Sequence, residues 1–346
     1  MVRSIKRCGG DDMKRWRNRP QGSNWGDFGD DDQRGRMNLL TPARRLAAVR
    51  EVREGVAFTL GLPLDLPGGG VRGTAQRDPP RLFAKGVYAQ PLNALVDAPQ
   101  VREVLYDDGV VLFTQYSTQW DAFCHMSYAF DADGDGVAER LFYNGYRPGT
   151  DVIPADAPGG PYARALGIEN LATAGVQGRG VLVDFFSIYG RAEARVGYDA
   201  LMQAMAAQKV EVERGDFLCL YTGMGDLVME MGKSPDAASL EKTCAGLDGR
   251  DARLLRWIDE SGIVAICADN NAVEKPSIDA KGGPHAGYPI HELCLFKLGI
   301  HLGEFWYFTE LAAWLKARGR NAFLLTAPPL RLPGAVGSPV TPIATV

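Results

Sequence analysis

The chain has 346 residues, 46% of them hydrophobic and 23% charged, and a net charge of −4. That composition is ordinary for a globular protein with a sizeable core, and it excludes the strongly basic surface expected of a nucleic-acid or anionic-membrane binder. No apolar run approaches the length of a membrane span, and the N-terminus lacks the apolar stretch of a secretory signal, so neither a nucleic acid nor a membrane is expected as partner.

Residues 1–20 carry Arg3, Lys6, Arg7, Lys14, Arg15, Arg17 and Arg19 against Asp11 and Asp12. Residues 1–23 are therefore expected to form a basic, disordered tail, with one domain spanning 24–346. The six cysteines, Cys8, Cys124, Cys219, Cys244, Cys267 and Cys294, include no C-x-x-C pair. That argues against a zinc knuckle or a disulfide scaffold and for a reducing compartment, hence a cytoplasmic location.

In chain order, Trp25 to Leu40 is rich in Gly, Asp and Asn and reads as irregular. Thr41-Pro42 then opens a helix, with Thr41 as N-cap and Pro42 at the first helical position, running to about Arg53 before Gly55. Val56–Leu64 reads as a strand, 67–80 as a Pro/Gly-rich loop, and 110–121 as extended. Gly180–Phe186, Asp216–Thr222, Ile263–Ala268 and Ala322–Leu325 read as strands. Tyr198–Gln208, Leu254–Glu260, Glu292–Leu298 and the segment from Thr309 to Gly319 read as helices. Strands interleaved with helices predict an α/β fold in a single domain.

Three short motifs fail on inspection. Gly232-Lys233-Ser234 resembles the end of a phosphate-binding loop, but position 227 is Leu where that loop needs Gly. Gly178-Arg179-Gly180 precedes a strand rather than the helix a dinucleotide site requires. Asp131, Asp133, Asp135 and Gly136 open like a calcium loop, but Phe142 replaces the closing carboxylate, so a solvated acidic turn is expected.

The segment Gln115-Tyr116-Ser117-Thr118-Gln119-Trp120-Asp121-Ala122-Phe123-Cys124-His125 survives this filter. On a strand, Gln115, Gln119 and Asp121 would project to one side and could together grip a cation through oxygen. His125, four residues on, would stand beside them as a proton carrier near neutral pH. The competing reading is a polar sheet face with one hydrogen-bonded histidine.

This segment resembles the signature His-x-Gly-Thr-His-x-Asp-x-Pro-x-His of the putative-cyclase family, which includes kynurenine formamidases and isatin hydrolases. Thr118, Asp121 and His125 match, whereas Gln115 and Gln119 stand where the first two histidines belong, Ser117 replaces the glycine and Phe123 the proline. Asn24-Trp25-Gly26, Asn38-Leu39-Leu40-Thr41-Pro42, Leu60–Asp65, Tyr143-Asn144-Gly145, Gly180–Asp184, Gly215-Asp216, Thr222-Gly223 and Gly337–Val340 follow in the family's order.

The resemblance implies a swivelling β/β/α fold, a homodimer or homotetramer, and one divalent metal, manganese or zinc. It further implies hydrolysis of a cyclic amide, a lactone or a formamide-like bond in a small-molecule substrate, aromatic ones included. In that scheme Asp121, His291 and Glu304 hold the metal, with Gln115 and Gln119 in the places of two further ligands. His125 acts as general base and then acid. Trp120, Phe123 and Phe142 are candidates for an apolar substrate pocket, with core packing the competing reading for each. An amide oxygen is a weaker, harder donor than imidazole, so three outcomes stay open. They are a single metal on Asp121, His291 and Glu304, a harder ion accepting the glutamines, or no metal. The last would leave a metal-independent acid–base lyase or cyclase, or a family member that binds a ligand without turning it over.

Overall fold

A computed structural model describes residues 14–69, 77–278 and 285–346. Its centre is a nine-stranded sheet in the order Ala57–Thr59, Ile343–Thr345, Ala322–Thr326, Gln177–Asp184, Phe217–Tyr221, Ala265–Ala268, His301–Glu304, Gln119–Asp121 and Gly337–Pro339. The four strands from Gln177–Asp184 to His301–Glu304 run parallel, and the flanking pairs are antiparallel. Phe217–Tyr221 and Ala265–Ala268 are buried at every position. Strands covered on both faces have no polar side to show, so they read as continuous apolar runs.

Helices close the faces. Tyr198–Gln208 buries Leu201, Ala204 and Met205, and Ala252–Ser261 buries Leu254 and Ile258. Asp251 caps the second by accepting from the backbone N–H of Arg253 and Leu254, satisfying donors that the first helical turn leaves free. The fold is thus the mixed α/β domain expected.

Local departures have local causes. The helix after Thr41 is Pro42–Val49, with the Thr41 side chain accepting from Arg44 N; it stops short of Arg53. The strand expected over 56–64 is Ala57–Thr59. The extended stretch expected over 110–121 is broken between Val111 and Gln119. There Tyr116 N–H turns back to the Phe113 carbonyl, and the Thr118 hydroxyl takes the Leu62 N–H at 2.8 Å and donates to the Phe305 carbonyl. Side-chain bonds of this kind compete with the ladder.

Of the expected tail, residues 1–13 lie outside the described residues. Residues 14–23 are docked: Trp16 is buried edge-on against Trp25 at 5.6 Å, and Arg15 stacks on Tyr146 and pairs with Asp31 at 2.8 Å. Arg179 lies within a strand and pairs with Asp216 at 2.7 Å. Gly232 ends the helix Met224–Met231 rather than opening one, which is the wrong helix end for a phosphate. Outside the main sheet, Arg81–Pro91 and Val104–Val111 form a separate two-stranded arm.

Candidate active site

The site forms where the last parallel strand meets the short strand Gln119–Asp121. Glu304 is the register partner of Gln119, Gly303 of Trp120, and Gly337 of Asp121. Partners across a ladder share a face and neighbours alternate, so Gln119, Asp121 and Glu304 project together. Gly337 is required: a Cβ there would sit 2.4 Å from Gln115 Nε2 and 2.9 Å from the Trp120 carbonyl.

Alternation also explains a correction. Trp120 points to the opposite face, where its ring meets Trp306 edge-on at 5.2 Å and its Nε1–H donates to the Ala327 carbonyl. Phe123 is fully buried against His301 and Tyr143, and Phe142 is buried in the same core. All three expected pocket residues are core residues.

Gln119 Nε2 donates to Glu304 Oε2 at 3.1 Å and lies 3.5 Å from Asp121 Oδ1. Gln115 diverges from them, because the strand begins only at Gln119; its Oε1 takes the Thr114 hydroxyl and its Nε2 rests against Gly337. The third group arrives from the helical segment Pro289–His291: His291 Nε2 is 3.3 Å from Glu304 Oε1. Asp121, His291 and Glu304 are all buried and each offers a ligand atom within 4.8 Å of the others. His125 Nε2 stands 4.0 Å from Asp121 Oδ1 and is partly exposed.

Two further residues, Glu274 and His301, hold this set in place. Glu274 receives His291 Nδ1–H at 2.9 Å and also accepts the backbone N–H of Ile290 and His291. That fixes the tautomer and aims Nε2 at Glu304, as outer carboxylates do for ligating histidines. Val273, just before it, has φ 58, and Phe305, just after Glu304, has φ 54. Left-handed backbone is costly for a β-branched or bulky residue and gathers at functional sites. His301 donates Nδ1–H to the Asp121 carbonyl at 2.8 Å.

The electrostatics follow from burial and pairing. Burial opposes charging His291, but Glu274 and Glu304 outweigh it and raise its pKa to about 10. Burial, joined by the Asp121 charge, pushes Glu304 up. For His125 burial dominates and lowers the pKa, with Asp121 opposing and His291 and Arg77 adding to the fall, so its imidazole is a neutral proton acceptor at pH 7. His301 is pushed by burial down to about 4.

These residues fit a cation. Asp121 Oδ2 and Gln119 Oε1 are buried acceptors with no hydrogen-bond partner among the described residues, Glu304 Oε1 faces His291 Nε2 at 3.3 Å, and each buried acceptor left unpaired carries a desolvation cost that a positive ion would relieve. The second acidic group, Asp131, Asp133 and Glu139, is different. Asp131 accepts from Gly134 N and Gly136 N, and Glu139 pairs with Arg147, as an acidic turn does.

A cavity of about 560 Å³ opens over the set, lined by Gln119, His125, His291 and Glu304 with Arg77, Met126, Met224, Leu240, Asn270, Asn271, Tyr288 and Phe305. Asp269, just past the strand Ala265–Ala268, caps the helix Met224–Met231 by accepting from Thr222, Gly223 and Gly225. His285 is exposed and does not line the cavity.

A family model described as Putative cyclase matches residues 83–275. A solved structure described as a novel cyclase is 33% identical with a TM-score of 0.72, over 94% of this chain and 97% of its own. Isatin hydrolase A from Ralstonia solanacearum is 16% identical with a TM-score of 0.55, over 88% of this chain and 97% of its own. Isatin hydrolase A from Labrenzia aggregata, bound to benzyl benzoate, is 15% identical with a TM-score of 0.52, over 88% and 99%. No curated protein matches the chain. With the family model covering more than half of the residues and a 33%-identical relative aligned along nearly all of them, the chain belongs to the cyclase family.

Proposed function

We propose that the protein is a hydrolase that opens a cyclic amide, a lactone or a formamide-like acyl-amide bond, using one divalent cation, manganese or zinc, held by Asp121, His291 and Glu304. The observation that carries this reading is the pair of buried, partnerless acceptor oxygens on Gln119 and Asp121, set beside Glu304 and an imidazole locked by Glu274. Bound there, a divalent cation supplies a more acidic water and a polarised carbonyl.

The remaining work falls to the chain. His125, neutral at pH 7, takes a proton from the attacking water. The water oxygen bonds to the carbonyl carbon, the C–N or ester C–O bond breaks, and His125 returns the proton to the leaving nitrogen or oxygen. The Asp121 carboxylate, 4.0 Å away, favours the charged form of that imidazole once it has taken the proton. Met126, Met224, Leu240 and Phe305 give the cavity an apolar wall suited to a ring and to keeping bulk water out.

The His291–Glu304 contact favours a second reading, a metal-independent lyase or cyclase in which these two groups hold a proton instead. Elemental analysis of protein purified without chelator separates the two. The hydrolase reading expects near-stoichiometric metal and activity on a panel of formanilides, cyclic imides and lactones that vanishes on chelation and in His125→Ala. Metal-free protein whose turnover ignores chelators would establish the second reading. Absence of turnover in the metal-loaded protein would leave a binding protein.

A further inference from the structure

The cavity holds more positive charge than hydrolysis needs. Besides His291, the basic groups of its lining are His125, Lys275 and Arg77. His125 is kept neutral by burial and serves as the proton carrier. Lys275 is buried, and its Nζ donates to the Thr243 carbonyl at 2.7 Å and towards the Glu241 carbonyl at 3.5 Å, so the main chain takes most of its donors.

Arg77 is different. Its Nη1 donates to the Gln115 carbonyl at 2.8 Å, and among the described residues no carboxylate forms an ion pair with it. Its charge acts on both His125 and Glu304, which sets the guanidinium beside the reacting centre without pairing it there. Most of its planar fork of N–H donors is therefore unspent, and a partly buried cation in that state is costly until an anion completes it. The tether also aims the fork. Gln115 lies four residues before Gln119, so one segment builds both the cation site and the post that holds Arg77.

The same lining includes Met126, Met224, Leu240 and Phe305. A ligand that suits them and Arg77 together is apolar with one anionic substituent. Its volume of about 560 Å³ has room for both parts, since a cavity of ~150 Å³ already holds benzene.

We propose that Arg77 is the substrate's anion anchor, so that the molecule opened here carries a carboxylate apart from the bond that breaks. The identity of that bond rests on the hydrolase reading above; the charge rests on Arg77. A carboxylate matches a single guanidinium through two parallel hydrogen bonds. A phosphate monoester, near two negative charges, would call for a second unspent cation and would be repelled more strongly by Asp121 and Glu304.

Matched formanilides test this on the metal-loaded full chain: 2-, 3- and 4-formamidobenzoate against the corresponding formamidobenzamides. Affinity is read by calorimetry in a His125→Ala background, where turnover does not intervene, and KM and kcat in the native background. At least one carboxylate is expected to bind roughly 10- to 100-fold tighter than its carboxamide, the range of a charge-assisted pair. Arg77→Gln should erase that difference while leaving the carboxamide within about twofold, and should raise KM for the carboxylate with kcat nearly unchanged. Arg77→Lys, which keeps the charge but not the fork, should restore part of the preference. Equal affinity for every acid and its amide would overturn the proposal, as would a preference that survives in Arg77→Gln, the mark of a carboxylate held by the metal. Equal losses for acid and amide in Arg77→Gln would assign the residue to bracing Gln115 and overturn it too, and so would tighter binding of 4-formamidophenyl phosphate than of any carboxylate. The expected affinity pattern without turnover would support the anchor and sink the hydrolase reading alone.

Discussion

His291 and His301 are both buried beside the Asp121–Glu304 pair, and without a metal their pKa values move in opposite directions. His291 lies between two carboxylates, Glu274 at 2.9 Å and Glu304 at 3.3 Å, and its pKa rises to about 10. His301 faces a single carbonyl and a stacked Phe123 ring at 4.0 Å, and falls to about 4. Burial acts in the same direction on both. What differs is the partner: anions overcome desolvation, whereas one neutral acceptor does not. The first histidine therefore belongs to the part of the site that demands positive charge, and the second to its scaffold.

Removing that demand should have the largest effect. Glu304→Gln deletes a ligand charge while its amide oxygen can still accept from Gln119 Nε2, and is expected to lower divalent-metal affinity at least ~10³-fold and abolish hydrolysis, since a charge-bearing ligand is lost. Metal retained at wild-type stoichiometry in elemental analysis would break the comparison, because His291 would then not be paired through a cation site.

The scaffold histidine makes a pH prediction. Its folded pKa lies below the ordinary value of 6.5, so the unfolded chain binds the extra proton first. The stabilising effect of a neutral, buried His301 is complete above pH 6.5 and drains away as pH falls towards 4, flattening below that. The loss is about 3 kcal/mol over this window. Denaturant melts of chelator-treated protein should show it as a steeper acid limb for wild type than for His301→Gln. Superimposable pH profiles would mean that His301 is not held neutral.

Next comes the clamp. Glu274→Gln keeps the size of the side chain but removes the charge that pins His291 Nδ1–H; outer-sphere changes of this type cost roughly 10–100-fold in metal affinity. Titration with manganese or zinc, read by calorimetry, checks it. An unchanged affinity would assign Glu274 to packing alone.

The two halves of this comparison were unequally legible in the sequence. Asp121, His125, His291 and Glu304 carry their chemistry in their residue types, and an ordered set of matching segments tied them together. The parallel strands were visible because double burial leaves uninterrupted apolar runs such as Phe217–Tyr221. Glu274 and His301 were not legible in these roles: one acts across 17 residues through a backbone turn at Val273, and the other through a main-chain carbonyl 180 residues away. The aromatic pocket was misplaced for a related reason. Trp120 sits between two site residues in sequence, but a strand turns alternate residues to opposite faces, and adjacency along the chain there means separation in space. The arm escaped because its strands alternate apolar residues onto both faces, a pattern that resembles a buried strand when read without its surroundings.

The smallest effect should come from Gln119→His, which tests how the amide earns its place. Its nitrogen bridges toward both carboxylates, at 3.1 Å to Glu304 and 3.5 Å to Asp121, and so eases their mutual repulsion without taking a proton. Its oxygen, buried and partnerless, is a hard donor. An imidazole would offer a better zinc ligand but fewer donors to the carboxylates, so gain and loss oppose each other. The expected outcome is a shift of preference toward zinc over manganese of about tenfold with little change in fold stability, in line with the ligand preferences of the two ions. A substitution that moved both metals equally, or neither, would show that residue 119 orients substrate or water and stands outside the cation's own shell.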